Sequence, residues 1–353
     1  MGVRGGTKAR GGVSFPVLAA VYIGTVVGAG FASGQEILQF FSAHGVWGLG
    51  ALVTATASLG LFGYLLLRAG ARVGAESHAE VIDHVAGPVL GRVIDYILTF
   101  FLFGGTAAML AGTGATLQQE YGLPYWVGLT GMAVATVVTV LAGIGGVVKS
   151  VSAIVPFLLA ALAAVAAATL SRSSPDFGFV SPARAAVGDW FVSGLAYGSY
   201  NLILATSVLA PVARLVRRED LGRGAALGAA GLGLGALAVY LTILCRTPAS
   251  ARVEVPMVLA ARLLSPVAGL AYGAVLLAEV YTTAVGSLYG LANRLVGEGS
   301  PYFRTVVIGG AVAATVAGAA GFSTIVGTLY PAVGYAGFLL LGTLALAWLR
   351  GRL

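Results

Sequence analysis

Charge is scarce in this chain: of 353 residues only 9% are Asp, Glu, Lys or Arg, where a soluble domain carries about a quarter. With 58% hydrophobic residues and a mean hydropathy of +0.94, this excludes a soluble globular fold and places most of the chain in lipid. Cysteine is nearly absent. The single Cys245 excludes an intramolecular disulfide and leaves the redox compartment open. Histidine is scarce as well, at three residues. In "GAESHAEVIDHVAG", His78 and His84 are six apart beside Glu80 and Asp83, so they share no helix face cleanly, and no H-E-x-x-H zinc signature occurs. That segment reads as a solvated amphipathic cytoplasmic helix. Paired aspartates, a nucleophile elbow and a Walker sequence are also missing, so the sequence offers no enzyme site.

What is present is a series of long apolar runs. A span needs roughly 20 apolar residues, and ten candidates of about that length follow one another: 14–43, 46–68, 93–118, 123–143, 149–171, 188–213, 222–245, 260–292, 305–321 and 325–349. The net charge of +7 is better explained by placement than by a nucleic-acid partner. Loops on the cytoplasmic side are enriched in Lys and Arg. With the N-terminus inside, only Arg172, Arg184, Arg246, Arg252 and Arg262 of the 20 Lys and Arg fall outside. Both termini are predicted to be cytoplasmic. The opening "RGGTKAR" has the look of a signal peptide, whose apolar core runs about 7–15 residues. Here the apolar character continues to Phe41, so an uncleaved first span is expected.

Ten spans divide into two sets of five, and an odd number per set forces the second to enter the membrane from the opposite side, the inverted-repeat condition. The repeats are predicted at about 14–171 and 188–349 within one transmembrane domain, joined by the extracellular "SRSSPDFGFVSPARAAVGD". The first span carries "GTVVGAGFASGQE", with four glycines, an amide and a carboxyl. Three readings compete. A dinucleotide loop needs a strand, a helix and an acid about 20 residues on, and the surroundings are spans. Small-xxx-small packing accounts for Gly24, Gly28, Gly30 and Gly34 but not for Gln35 and Glu36.

The third reading is a broken helix near Gly28-Ala29-Gly30, which frees backbone groups that must line a cavity or be buried against protein. The sixth span shows a matching interruption at Tyr197-Gly198-Ser199-Tyr200-Asn201. Paired interruptions in corresponding spans point to a transporter's binding site.

Glu36 and Glu279 are the only acids well inside predicted spans. Such residues cost about 2.5–3.5 kcal/mol on insertion scales and mark ion or proton paths, or serve as protonated structural ties. Glu279, Thr282 and Thr283 share one helix face and can converge on an oxygen-ligand site for a hard cation. Tyr22, Phe31, Tyr197, Tyr200 and Tyr281 flank these features, more often a packing role than a gating one.

The "GTVVGAGFASGQEILQFF" block, the ten-span length and the short loops resemble the YkvI-like bacterial membrane proteins, predicted transporters of the amino acid–polyamine–organocation superfamily. The resemblance implies an all-α, LeuT-like fold of five plus five helices with helices one and six discontinuous. It implies substrate contacts at Gly28, Ala29, Gly30, Phe31, Ala32 and Ser33, and at Tyr197, Gly198, Ser199, Tyr200 and Asn201. It also implies a candidate sodium site at Val27, Gly30, Thr282 and Thr283. Gln35, Glu36 and Glu279, polar residues at membrane depth, are further ion-coupling candidates on their own chemistry. Glu279 stands where sodium-coupled relatives commonly carry a small uncharged residue, so sodium and proton coupling both stay open. The expected function is secondary active transport of a small polar solute, with an amino acid first. A solute-sensing receptor and an intramembrane enzyme are the alternatives. The expected partners are the solute and membrane lipid, with no cofactor beyond a coupling ion.

Overall fold

The computed structural model describes residues 13–76, 78–142, 144–297 and 299–353, with the backbone alone for 144–155. Arg4, Lys8, Arg10 and the side chain of Lys149, all counted above as cytoplasmic cations, lie outside the described residues. Thirteen α-helices are described: α1 Phe15–Val26, α2 Ala29–Ser33, α3 Gln35–Phe40, α4 Trp47–Val73, α5 His78–Tyr121, α6 Tyr125–Leu141, α7 Ile144–Leu170, α8 Trp190–Ala213, α9 Arg218–Leu244, α10 Pro256–Leu264, α11 Pro266–Val296, α12 Phe303–Gly318 and α13 Phe322–Leu349. By length and composition α4, α5, α8, α9, α11 and α13 can each cross a membrane. The shorter apolar stretches Phe15–Val26, Tyr125–Leu141, Pro156–Leu170 and Phe303–Gly318 fall in the other four predicted spans.

Local sequence explains where these helices start and bend. Asp189 caps α8 by accepting from Val192 N at 2.9 Å, and Ser265 caps α11 by accepting from Ala268 N at 3.0 Å, each satisfying a first-turn donor. Gly87 at φ 77° followed by Pro88 kinks α5, because a left-handed residue and a proline cannot both continue a helix. The kink separates the amphipathic 78–86 stretch from the apolar remainder. Burial, then the nearby Arg294 guanidinium, pulls the His78 pKa below its ordinary value. Arg294 also contacts Asp95 and donates to Thr99 Oγ1 at 2.9 Å, joining α11 to α5.

The helices pack as two bodies. One is formed by α1, α4, α8 and α9, the other by α5, α6, α11 and α12; α13 rests on α8 and α5, and α7 rests on α9 and α11. Numbered by predicted span, the pairings answer one another across the two halves: first with seventh and second with sixth, third with tenth and eighth with fifth, third with fourth and eighth with ninth.

The sixth span corrects one expectation, since α8 is helical without interruption from Trp190 to Ala213. Two of its polar side chains bond carbonyls of their own helix: Asn201 Nδ2 donates to Tyr197 O at 2.9 Å and Ser199 Oγ to Ala196 O at 3.2 Å. Gly198 serves close packing instead of a break, because a Cβ there stands 2.7 Å from Ser58 Oγ of α4. Overpacking a tight core costs about 1–3 kcal/mol. A Gly198→Leu variant is therefore expected to unfold several degrees lower in detergent, read by a thermal melt.

Candidate solute and ion site

The first span is broken twice. Helix α1 ends at Val26, and Val27 (φ −72°, ψ 102°) and Gly28 (φ −122°, ψ −172°) run extended before the five-residue α2. A second break follows at Gly34, φ 80°, a left-handed position that favours glycine; a Cβ there also stands 2.9 Å from Met257 Cγ. The last intrahelical bond of α1 is Val27 N to Ile23 O at 2.8 Å, so the carbonyls of residues 24–26 are left at an open helix end. Within α2, Ser33 Oγ donates to Gly30 O at 2.8 Å and accepts from Gln35 N at 3.1 Å. Tyr272 of α11 donates to Ala32 O at 2.6 Å, so that carbonyl is already engaged.

Glu36, in the first turn of α3, is buried and folds back toward the first break. Its carboxyl occupies the position that a Cβ on Gly30 would take, and its Oε2 accepts a hydrogen bond from the Tyr200 hydroxyl of α8. Across from it, Glu279 of α11 is 4% exposed. The Thr283 hydroxyl hydrogen-bonds the Glu279 carboxyl, Thr282 Oγ1 donates to Glu279 O at 2.9 Å, and Glu279 Oε2 has no hydrogen-bond partner among the described residues.

A cavity of about 280 Å³ lies between these groups, walled by residues 24–30 and Glu36, by α5 between Phe101 and Met109, by Tyr200, Asn201 and Leu204 of α8, by Glu279, Thr282, Thr283, Gly286 and Ser287 of α11, and by Tyr330 of α13. Both four-helix bodies contribute. A ring of buried aromatics closes one side: Phe41 and Tyr197 at 4.8 Å between centroids, Tyr197 and Tyr200 at 5.3 Å, Tyr200 and Tyr330 at 5.2 Å, and Phe101 and Tyr330 at 5.3 Å. The other side is open. Gly286 is exposed, and a Cβ on either Gly28 or Gly286 meets no atom within 4 Å.

Of the residues singled out by sequence, the cavity brings together Val27, Gly28, Ala29, Gly30, Glu36, Tyr200, Asn201, Glu279, Thr282 and Thr283. Others lie behind the wall. A Cβ on Gly235 of α9 stands 3.2 Å from the Phe31 ring, and Tyr197 belongs to the aromatic ring on the closed side. Ser199 bonds Gly334 O of α13, and Gln35 is buried with neither amide atom partnered among the described residues. Sequence reasoning missed Thr25, Phe101, Met109, Ser287 and Tyr330. Tyr330 alone carried a signal, a phenol directly before Pro331 inside a span.

Removing the Tyr200 hydroxyl leaves Glu36 Oε2 without its donor, which costs about 1–3 kcal/mol. A Tyr200→Phe variant is expected to lower thermal stability while keeping the aromatic ring closed, as a detergent melt compared with wild type will read.

No protein-family model matches the chain. Two proteins of Bacillus subtilis (strain 168) align with it along nearly their whole lengths. The membrane protein YkvI is 30% identical over 334 residues, covering 93% of this chain and 94% of the relative. The chain belongs to the YkvI family. A second relative, YyaD, is 30% identical over 326 residues, covering 92% of this chain and 94% of YyaD.

Among solved structures, this YkvI-family chain is similar to MhsT in complex with L-phenylalanine, with a TM-score of 0.61 at 16% identity over 95% of this chain and 90% of MhsT. It is also similar to the Eremococcus coleocola manganese transporter, TM-score 0.61 at 14% identity over 93% and 78%, and to the inward-facing conformation of Mhp1, TM-score 0.53 at 16% identity over 88% and 72%. At these identities the likeness is one of fold. The YkvI-family chain is an all-helical membrane protein with the LeuT fold of transporters.

Proposed function

We propose that this protein is a secondary active transporter that moves a small polar solute, an amino acid or a related organic ion, across the bacterial cytoplasmic membrane. Residues of both halves act as one transporter domain, with both termini cytoplasmic. The observation that carries this reading is the cavity at the broken first span, walled by both four-helix bodies and closed on one side only. A site between two bodies that rock against each other is what alternating access requires. In this reading the open side is the inward one and the aromatic ring is the outer closure.

Glu36, Glu279, Thr282 and Thr283 are the groups through which sodium or protons couple to the solute. Carbonyls at the end of α1 with the two threonine hydroxyls suit sodium; the carboxylates suit either ion. Purified protein in proteoliposomes is expected to accumulate a labelled solute only when a sodium or proton gradient is imposed. Equal uptake with and without every gradient would sink the coupled mechanism, and solute binding without any uptake would make the protein a receptor.

A further inference from the structure

The chemistry of the cavity selects among solutes, and this selection rests on the transporter reading above. A carboxylate-bearing solute would need a donor or a positive charge at the break in the first span. This chain places its own carboxylate there: Glu36 lies over Gly30 and is held by the Tyr200 hydroxyl. Among the described residues the cavity wall has no Lys, Arg or His. On the opposite wall Glu279 is 4% exposed and its Oε2 is unpartnered among the described residues. An unpaired carboxylate in a buried site is costly, and an arriving cation removes that cost.

The remaining wall is apolar and aromatic. Phe101, Tyr200 and Tyr330 are buried and pack against one another at the site, and aromatic faces attract ammonium groups. A volume of about 280 Å³ is several times the roughly 30 Å³ of one water, far more than a bare ion fills. No group of three His, Cys, Asp or Glu side chains that suits a metal occurs among the described residues. We infer that the cargo is a small organic cation, an ammonium compound without a carboxylate, whose charged nitrogen pairs with Glu279 while its apolar part lies against the aromatic wall.

Matched pairs of compounds that differ by a carboxylate test this on the full chain in lipid nanodiscs: phenethylamine against phenylalanine, choline against glycine betaine, and butylamine against 4-aminobutanoate, with manganese(II) as the metal probe. At least one amine is expected to raise the unfolding temperature and to bind about tenfold or more tightly than its carboxylated partner, a difference of about 1.4 kcal/mol. Glu279→Gln is expected to remove that preference; the wild-type comparison requires no variant to fold. Tighter binding by a carboxylated member, binding of manganese(II) alone, or no response to any amine would each overturn the inference. Uptake assays with the same compounds separate the two claims. Gradient-driven uptake of a zwitterion would leave the transporter standing and remove the cationic cargo. An amine that binds without being carried would do the reverse.

Discussion

Solute uptake is expected to fall about ten- to a hundredfold in a Gly30→Ala variant that still purifies as a folded, monodisperse protein. The added methyl needs the position that the Glu36 carboxyl occupies, so the carboxyl must turn away and its bond from the Tyr200 hydroxyl is lost. Leaving a buried acceptor without its donor costs about 1–3 kcal/mol, and each 1.4 kcal/mol is a factor of about ten, which sets the size of the loss. Because the displaced group is the end of a side chain beside a cavity, the fold has room to accept it. Adding Glu36→Asp to Gly30→Ala shortens the crowded side chain by one methylene and is expected to return part of the rate. Initial uptake rates in proteoliposomes check both variants, and wild-type rates for Gly30→Ala would remove the Gly30–Glu36 contact from the mechanism.

Glu279→Gln is expected to lower uptake at least as far, while the protein melts at the same temperature or a higher one. The amide has the same shape as the carboxyl and can keep a hydrogen bond with Thr283, but it carries no charge. Buried charges are costly unless paired, and one oxygen of Glu279 lacks a partner among the described residues; exchanging it for an amide removes a penalty that the native protein bears for function. Stability and activity therefore move in opposite directions. Should the melt fall by several degrees with uptake intact, Glu279 is a structural tie. Thermal melts and uptake measured on the same preparation decide between the two.

Much of this architecture is legible in the chain because lipid simplifies the code. Apolar runs give the helices, and a carboxyl inside such a run is expensive enough that Glu36 and Glu279 stand out by type alone. The first break is legible for the same reason, since glycines followed by Gln35 and Glu36 make poor lipid-facing helix. The second break at Gly34 is not, because Gly30-x-x-x-Gly34 also describes a packing face, and only backbone geometry distinguishes them.

The interruption expected in the sixth span fails for an instructive reason. Tyr-Gly-Ser-Tyr-Asn looks like the first-span block in composition, yet Ser199 and Asn201 bond carbonyls of their own helix and Gly198 admits α4. Polar composition shows that hydrogen-bonding groups must be satisfied, and tertiary packing decides by whom. Phe101 and Tyr330 illustrate the complementary gap. An aromatic residue in a span is ordinary until its neighbours are known, and those neighbours come from α8 and α13.

The two breaks also divide the first span into rods with unequal attachments. Behind the hinge at Val27 and Gly28, α2 and α3 are fastened by Tyr272 to Ala32 O at 2.6 Å, by Ser193 Oγ to Phe40 O at 2.8 Å and by Gln39 Nε2 to Ser323 O at 2.9 Å. Helix α1 is fastened elsewhere, through Tyr22 to Leu59 O of α4 at 2.8 Å. Because α4 packs on α8, which carries Tyr200, a swing of α1 with α4 pulls on the Glu36–Tyr200 contact. Exit and recognition are mechanically linked, so substitutions where α1 meets α4 should alter both how fast the solute leaves and how tightly it is held.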